Sequence, residues 1–446
     1  MNSNVKRKYD RVMFLLGLGS STRVLLVGCL SFSEMFAFFA APLILLREYA
    51  GIKRLRAAKV IWLLGSVIGM IVVSSFYNHA PLVYTIKDCA VYYSILSFVI
   101  VFVHYLSKDL SSLRWYFIGA FLSSIITIFI LNPRTAMTAA GSVGLSQQNV
   151  SAVMSGELFW IEKVTSLLQL PIESAYLSVP ILYALIAPFI VIAVAVATSS
   201  SGRSASLIVL FGAFMVAIGR KSRRRMASIG RHLLPVGLLG IVMIFIFKQA
   251  YYSMAEAGLL NEGATAKYLH QTRQGKGLLA LIIGGRIEPF VGIRAALDKP
   301  IVGYGSLPID RGDYYYDTLV NFGNEEDVGR YEYERRKNPG SVLLIQTHSH
   351  IVSAWVTCGI VGLAFWLHVL WLMYQFIRRY AAAIPQWYGY FTVAFPYYAW
   401  HIFFSPIATR RQDVALFIAC LLLARAIGKR YLQLPMSMEM EARRYD

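Results

Sequence analysis

Residues 347–377 read THSHIVSAWVTCGIVGLAFWLHVLWLMYQFI: a short polar stretch, Thr347-His348-Ser349-His350, opening onto an uninterrupted apolar run from Ile351 to Ile377. A run of that length crosses a bilayer as a helix, because about 20 residues at 1.5 Å each match the hydrocarbon thickness. Similar runs recur along nearly the whole chain. The composition agrees, with 57% hydrophobic, 14% aromatic and only 15% charged residues among 446. These values exclude an ordinary soluble domain and indicate an integral membrane protein. Lys6-Arg7-Lys8 is followed by apolar sequence without an A-x-A cleavage site, so no removable leader is expected.

The formal charge of +19 raises the question of a nucleic-acid partner. Ser253 to Ile345, the one long polar segment, holds 11 Lys or Arg against 12 Asp or Glu, so the excess lies in short loops elsewhere. Short basic loops set membrane orientation, with the positive side cytoplasmic, and no nucleic-acid partner is expected.

Working outward under that rule, the N-terminus and the loop Arg47 to Lys59 are both cytoplasmic. Residues 12–46 between them therefore form a hairpin of two spans, with a tight reversal near Ser31 to Ser33. Spans follow at about 60–76, 87–106 and 115–131. The basic loop Arg220 to Arg225 is cytoplasmic, which requires a polar or broken span near 149–170 before the spans at 177–198 and 205–219. A ninth span at 232–252 leads outside, the tenth at 348–377 returns, and spans at 387–404 and 413–428 close the chain. The expectation is an all-α polytopic membrane protein of about 12 transmembrane helices, with both termini cytoplasmic. Its parts are an N-terminal bundle (1–252), an extracytoplasmic segment between the ninth and tenth spans (253–347), and C-terminal helices with a basic tail (348–446). Within the external segment, 264–276 and 289–297 read as short helices. Internal repeats of the kind found in many transporters are lacking, and a fifth of the chain sits in one asymmetric segment, which argues against a transporter or flippase.

Cys29, Cys89, Cys358 and Cys420 lie in apolar runs and read as packing residues. His348 and His350 are two apart without carboxylates at ligand spacing, so no metal site and no cofactor is expected. Three elements fall outside in this topology: Ser199-Ser200-Ser201-Gly202-Arg203, Gly285-Arg286 and His348-Ser349. Arginine grips a diphosphate bidentately and keeps its charge, so two arginines and a histidine suit a lipid-diphosphate substrate. Arg203 equally reads as a snorkelling interfacial residue, Arg286 as a partner of Glu288, and His348 as a helix cap. Arg294 and Tyr304 follow Arg286 as further candidate contacts. Tyr304, Tyr314, Tyr315, Tyr316, Tyr331 and Tyr333 suit either stacking on sugar rings or resting on the membrane interface.

One resemblance joins these elements. His348-Ser349, nine residues, then Gly359-Ile360-Val361-Gly362 is similar to the signature of the bacterial O-antigen ligase and O-antigen polymerase superfamily. The register selects His348, since His350 is followed by isoleucine. Thr198 to Ser206 resembles the family's Ser-Arg-Gly turn, although Arg203 stands between Gly202 and Ser204. Gly285-Arg286 through Pro300-x-x-Gly303-x-Gly305 resembles a second family segment.

The resemblance implies a GT-C-like fold in the bacterial inner membrane, with a periplasmic active site. It also implies an inverting, metal-independent glycosyltransferase whose donor is a glycan on undecaprenyl diphosphate. Polymerisation of repeat units into O-antigen, capsule or exopolysaccharide is the reading it favours, and ligation of glycan to lipid A core or protein is the alternative. Arg203 and Arg286 would then hold the diphosphate, and His348 would activate or orient the acceptor. Flippase and chain-length regulator proteins would be partners.

Overall fold

A computed structural model of the chain describes residues 3–129, 287–377, 388–405 and 411–432, together with 253, 257 and 258. Positions 21, 22, 27, 55, 56, 323, 324, 338–343 and 346 are excepted. The expected spans at 149–170, 177–198, 205–219 and 232–252, and the short helix at 264–276, lie outside the described residues.

The described chain is mostly helical: α1 (Ser3–Leu18), a two-stranded ribbon of β1 (Arg23–Leu26) and β2 (Gly28–Ser31), α2 (Phe32–Arg54), α3 (Ala58–Tyr77), α4 (Leu82–Lys108), α5 (Leu113–Phe129), α6 (Glu288–Asp298), α7 (Tyr314–Phe322), α8 (Glu325–Lys337), α9 (His350–Gln375), α10 (Tyr388–Phe404) and α11 (Arg411–Leu432). Among the described residues, four helices are long and apolar enough to cross a membrane: Phe32–Lys53, Ala58–Tyr77, Leu82–Lys108 and His350–Gln375. Helices also cover the expected spans at 60–76, 87–106 and 413–428, residues 388–404 of the span expected at 387–404, and most of 115–131.

The hub is α4. Phe98 to Val103 are all buried, so this stretch is covered on every side, as befits a helix at the centre of a bundle. α2 runs parallel to it: Ser94 Oγ donates to Glu34 Oε1 at 2.8 Å near the start of α2, and Glu48 lies 3.0 Å from His104 further along. α3 runs antiparallel, bringing Cys89 beside the Ile68 carbonyl.

The N-terminal hairpin differs from expectation. In place of a tight helical reversal near Ser31 to Ser33, α1 ends at Leu18 and the ribbon pairs Arg23 with Ser31 before α2 starts at Phe32. The cause is a capping box. Ser31 Oγ accepts from Glu34 N at 3.1 Å while Glu34 Oε2 accepts from Ser31 N at 2.7 Å, which fixes the start of α2. The buried Glu34 carboxylate is neutralised by Arg411 of α11, with Nε 2.9 Å from Oε1. The expected loop Arg47 to Lys59 is also largely helical, since α2 continues to Arg54 through a break at Glu48 (φ −126, ψ 21). There Glu48 pairs with His104 and with Lys108 at 3.2 Å, and the loop shrinks to the connection before Ala58.

Candidate functional site

Ser349 anchors the start of α9. Its side chain is fully buried; Oγ accepts from Val352 N at 3.3 Å, capping α9, and donates to the Ile402 carbonyl at 3.0 Å, tying that end of α9 to α10. The helix therefore begins at His350, two residues later than the expected span, and His348 is the residue before the cap.

His348 has φ +35, a left-handed conformation uncommon for a residue with a side chain. Its imidazole is 40% exposed, and Nδ1 lies 3.1 Å from Glu288 Oε1. His350, by contrast, is buried, its ring 5.1 Å from that of Trp366 and 6.4 Å from that of His401. The two histidines thus face different media. Only His348 can meet a solvent-borne substrate.

Glu288 reaches His348 because of where α6 lies. Gly292, one turn further along α6, faces the start of α9 so closely that an added Cβ would sit 2.5 Å from Val352 and 2.8 Å from Thr347. Residues four apart share a helix face, so Glu288 projects to the same end. A salt bridge between Glu288 and Arg286, one of the two readings of that arginine, lies outside the described residues; among the described residues Glu288 lies against His348.

Behind α6, the loop Pro300 to Gly305 locks into a break in α9. At Cys358 (φ −130, ψ 24) and Gly359 (φ 61, ψ −149) the helix departs from its ladder. The loop takes up the backbone groups so exposed. Tyr304 N donates to Val356 O at 2.7 Å, Gly305 N to Thr357 O at 2.9 Å, and Ile360 N to Ile301 O at 3.2 Å. Gly359 is required here, since its conformation is open almost only to glycine and a Cβ would lie 1.9 Å from Ile301 O. Gly303 (φ +77) turns the loop against the same kink. Pro300-x-x-Gly303-x-Gly305 and Gly359 are therefore two sides of one contact. The end of α3 completes it: Asn78 Nδ2 donates to Gly303 O at 3.1 Å, and Ser306 N donates to Ser75 Oγ at 2.9 Å.

The remaining sequence candidates fall around α6 and α7. Arg294 pairs with Asp317 of α7 (Nη2 to Oδ2, 2.8 Å) at the surface. Tyr304 lies under Lys299 Nζ, 4.7 Å from its ring centre, and its hydroxyl is 2.9 Å from that of Tyr314. Burial, with hydrogen bonds to Asp298 and Tyr304, pushes the Tyr314 phenol well above its usual range, and burial raises that of Tyr304. Asp310 caps α7, accepting from Tyr314 N and Tyr315 N at 2.9 Å each. Tyr315 and Tyr316 pack on Tyr331, with ring centres 5.5 and 5.7 Å apart, while Tyr333 is exposed. Most of these tyrosines hold α7, α8 and the loop before them together, a role the sequence reading did not assign. Arg203 and Arg286 lie outside the described residues. No group of three or more His, Cys, Asp or Glu able to hold a metal occurs among the described residues, where Cys358 and Cys420 are buried free thiols.

Residues 187–367 match the family described as O-antigen ligase. A search of curated proteins found no match. The matched segment contains Arg203, Arg286, Arg294, Tyr304, His348 and Gly359, so this part of the chain is similar to the O-antigen ligase family.

Proposed function

We propose, starting from a segment of the O-antigen ligase and polymerase superfamily at residues 187–367, that this membrane protein polymerises oligosaccharide repeat units carried on undecaprenyl diphosphate. The product is a surface polysaccharide: O-antigen, capsule or exopolysaccharide. The observation that carries the reading is His348, which lies in the signature position, half-exposed before a buried helix cap, with a carboxylate against Nδ1.

In the proposed step the acceptor hydroxyl gives its proton to His348 as its oxygen attacks the anomeric carbon of the donor. The bond from that carbon to the diphosphate oxygen breaks, and the electron pair leaves on the lipid diphosphate, inverting the centre. A general base so placed typically contributes 100-fold to 10,000-fold. Arg203 and Arg286 stabilise the charge developing on the leaving group, where loss of one such donor costs on the order of 2 to 4 kcal/mol of barrier. Arg294 and Tyr304 border the glycan, and no metal or cofactor takes part.

The reading places about 12 spans in the bacterial inner membrane, with both termini cytoplasmic and the site periplasmic. Parallel α2 and α4, antiparallel α3 and α4, and the pairing of Ser349 with the end of α10 all support that topology. A flippase and a chain-length regulator are the expected partners.

Complementation of a deletion strain tests the reading. His348→Ala, expressed at normal level, should leave carrier-linked single repeats and no polymer, whereas full polymer length would defeat the assignment of the base. Arg286→Lys keeps charge but loses bidentate geometry, so undiminished activity would remove the clamp.

The family's description as O-antigen ligase favours a second reading, transfer of finished glycan to lipid A core or protein. Deletion then leaves long unattached chains in place of single repeats. Polymerisation is preferred because polymerases are the more numerous and varied members.

A further inference from the structure

We propose that Glu288 is the positioning residue for His348, forming with it a carboxylate–imidazole pair that fixes which ring nitrogen takes the acceptor's proton. The inference rests on the catalytic reading of His348 given above and adds a residue to it. Glu288 Oε1 stands 3.1 Å from Nδ1, within ion-pair distance though not aligned as a hydrogen bond in this structure, and a negative charge that close favours the tautomer with the proton on Nδ1. Nε2 is then left as the basic nitrogen, on the opposite edge of a ring that is 40% exposed. When Nε2 accepts the hydroxyl proton, the imidazolium formed has its counter-charge already in contact, with no side chain needing to move.

Each partner is held independently. Ser349 anchors the backbone after His348 through bonds to Val352 N and Ile402 O, which maintains the unusual φ of +35. Glu288 sits in the first turn of α6, with Pro289 beside it, and α6 is pressed on Thr347 and Val352 at Gly292. The loop that follows α6 is bonded to the α9 kink, which keeps α6 from sliding along α9. A surface ion pair between long, free side chains has no such scaffolding and is worth little. Here the geometry is imposed by two helices and a loop, as expected of a residue that orients a catalytic base.

Full-length Glu288→Gln, Glu288→Asp, His348→Ala and the double variant Glu288→Gln/His348→Ala should be assayed in membranes, with single-repeat carrier lipid from a deletion strain as substrate. Glu288→Gln should lower kcat at least about tenfold, the lower end expected where a base loses its orienting partner, and change KM less than about twofold. Glu288→Asp, retaining the charge, should keep more activity than the Gln variant. The double variant should be no slower than His348→Ala alone, because the carboxylate acts through the ring. Wild-type kcat for Glu288→Gln, equal loss in the Asp and Gln variants, or multiplied losses in the double variant would each overturn the proposal. If His348→Ala itself keeps full activity, the catalytic reading of His348 has failed, which is a separate result.

Discussion

Replacing Gly359 with alanine tests the contact that holds the site together. The substitution forces a residue with a Cβ into φ 61, ψ −149, where all but glycine pay about 1 to 3 kcal/mol. The new methyl would also lie 1.9 Å from the Ile301 carbonyl oxygen, so loop and helix must move apart by more than 1 Å to reach an ordinary contact of about 3.4 Å. Separation on that scale removes the bonds Tyr304 N to Val356 O, Gly305 N to Thr357 O and Ile360 N to Ile301 O. Net values of about 0.5 to 1.5 kcal/mol each add roughly 1.5 to 4.5 kcal/mol, for a total of about 2.5 to 7.5. Because α6 hangs on that loop, Glu288 is displaced from His348 as well. The control is Gly69→Ala in α3, where an added Cβ meets nothing within 4 Å and alanine is the better helix former. In purified detergent-solubilised protein, Gly359→Ala should lower Tm by roughly 5 °C or more while Gly69→Ala leaves it unchanged or slightly raised. In a deletion strain only the control should restore wild-type surface glycan. A Gly359→Ala protein with wild-type Tm and wild-type glycan would refute the account of the kink.

Ser349→Ala removes both the cap of α9 and the tie to Ile402, and should cost about 2 kcal/mol of stability together with activity, although His348 is untouched. Ser349→Asn, which can still cap, should retain more of both, as read by thermal melting and by glycan gels. Arg411→Met strands the buried Glu34 carboxylate and should destabilise by about 3 to 5 kcal/mol. Adding Glu34→Gln should recover most of that loss, and the two melting temperatures decide whether the ion pair is the cause.

Much of this protein is legible without a structure because its solvent is a bilayer. A hydrocarbon layer demands long apolar helices, and that demand is written locally, so α3, α4, α9, α10 and α11 fall where apolar runs and basic loops put them. His348, Gly303, Gly305 and Gly359 stand out too, as a spacing pattern, although spacing carries no reason for the glycines. Local reading missed the start of α2. There Ser31 and Glu34 form a box whose buried charge is satisfied by Arg411, 377 positions away. It also read the tyrosines between 304 and 333 as ligand or membrane contacts, and most of them pack on one another.

The sequence by itself thus determined the membrane class and the places of α3, α4, α9, α10 and α11, since each is a property of contiguous residues against lipid or water. Only the tertiary structure decided that Ser349 is the cap, that His350 is buried while His348 faces out, that the loop at 300–305 mends the break at Gly359, and that Glu288 meets His348. Those facts depend on which segments pack together across long sequence separations. Contacts between a helix end and a loop dozens of residues away leave no periodic signal in the chain.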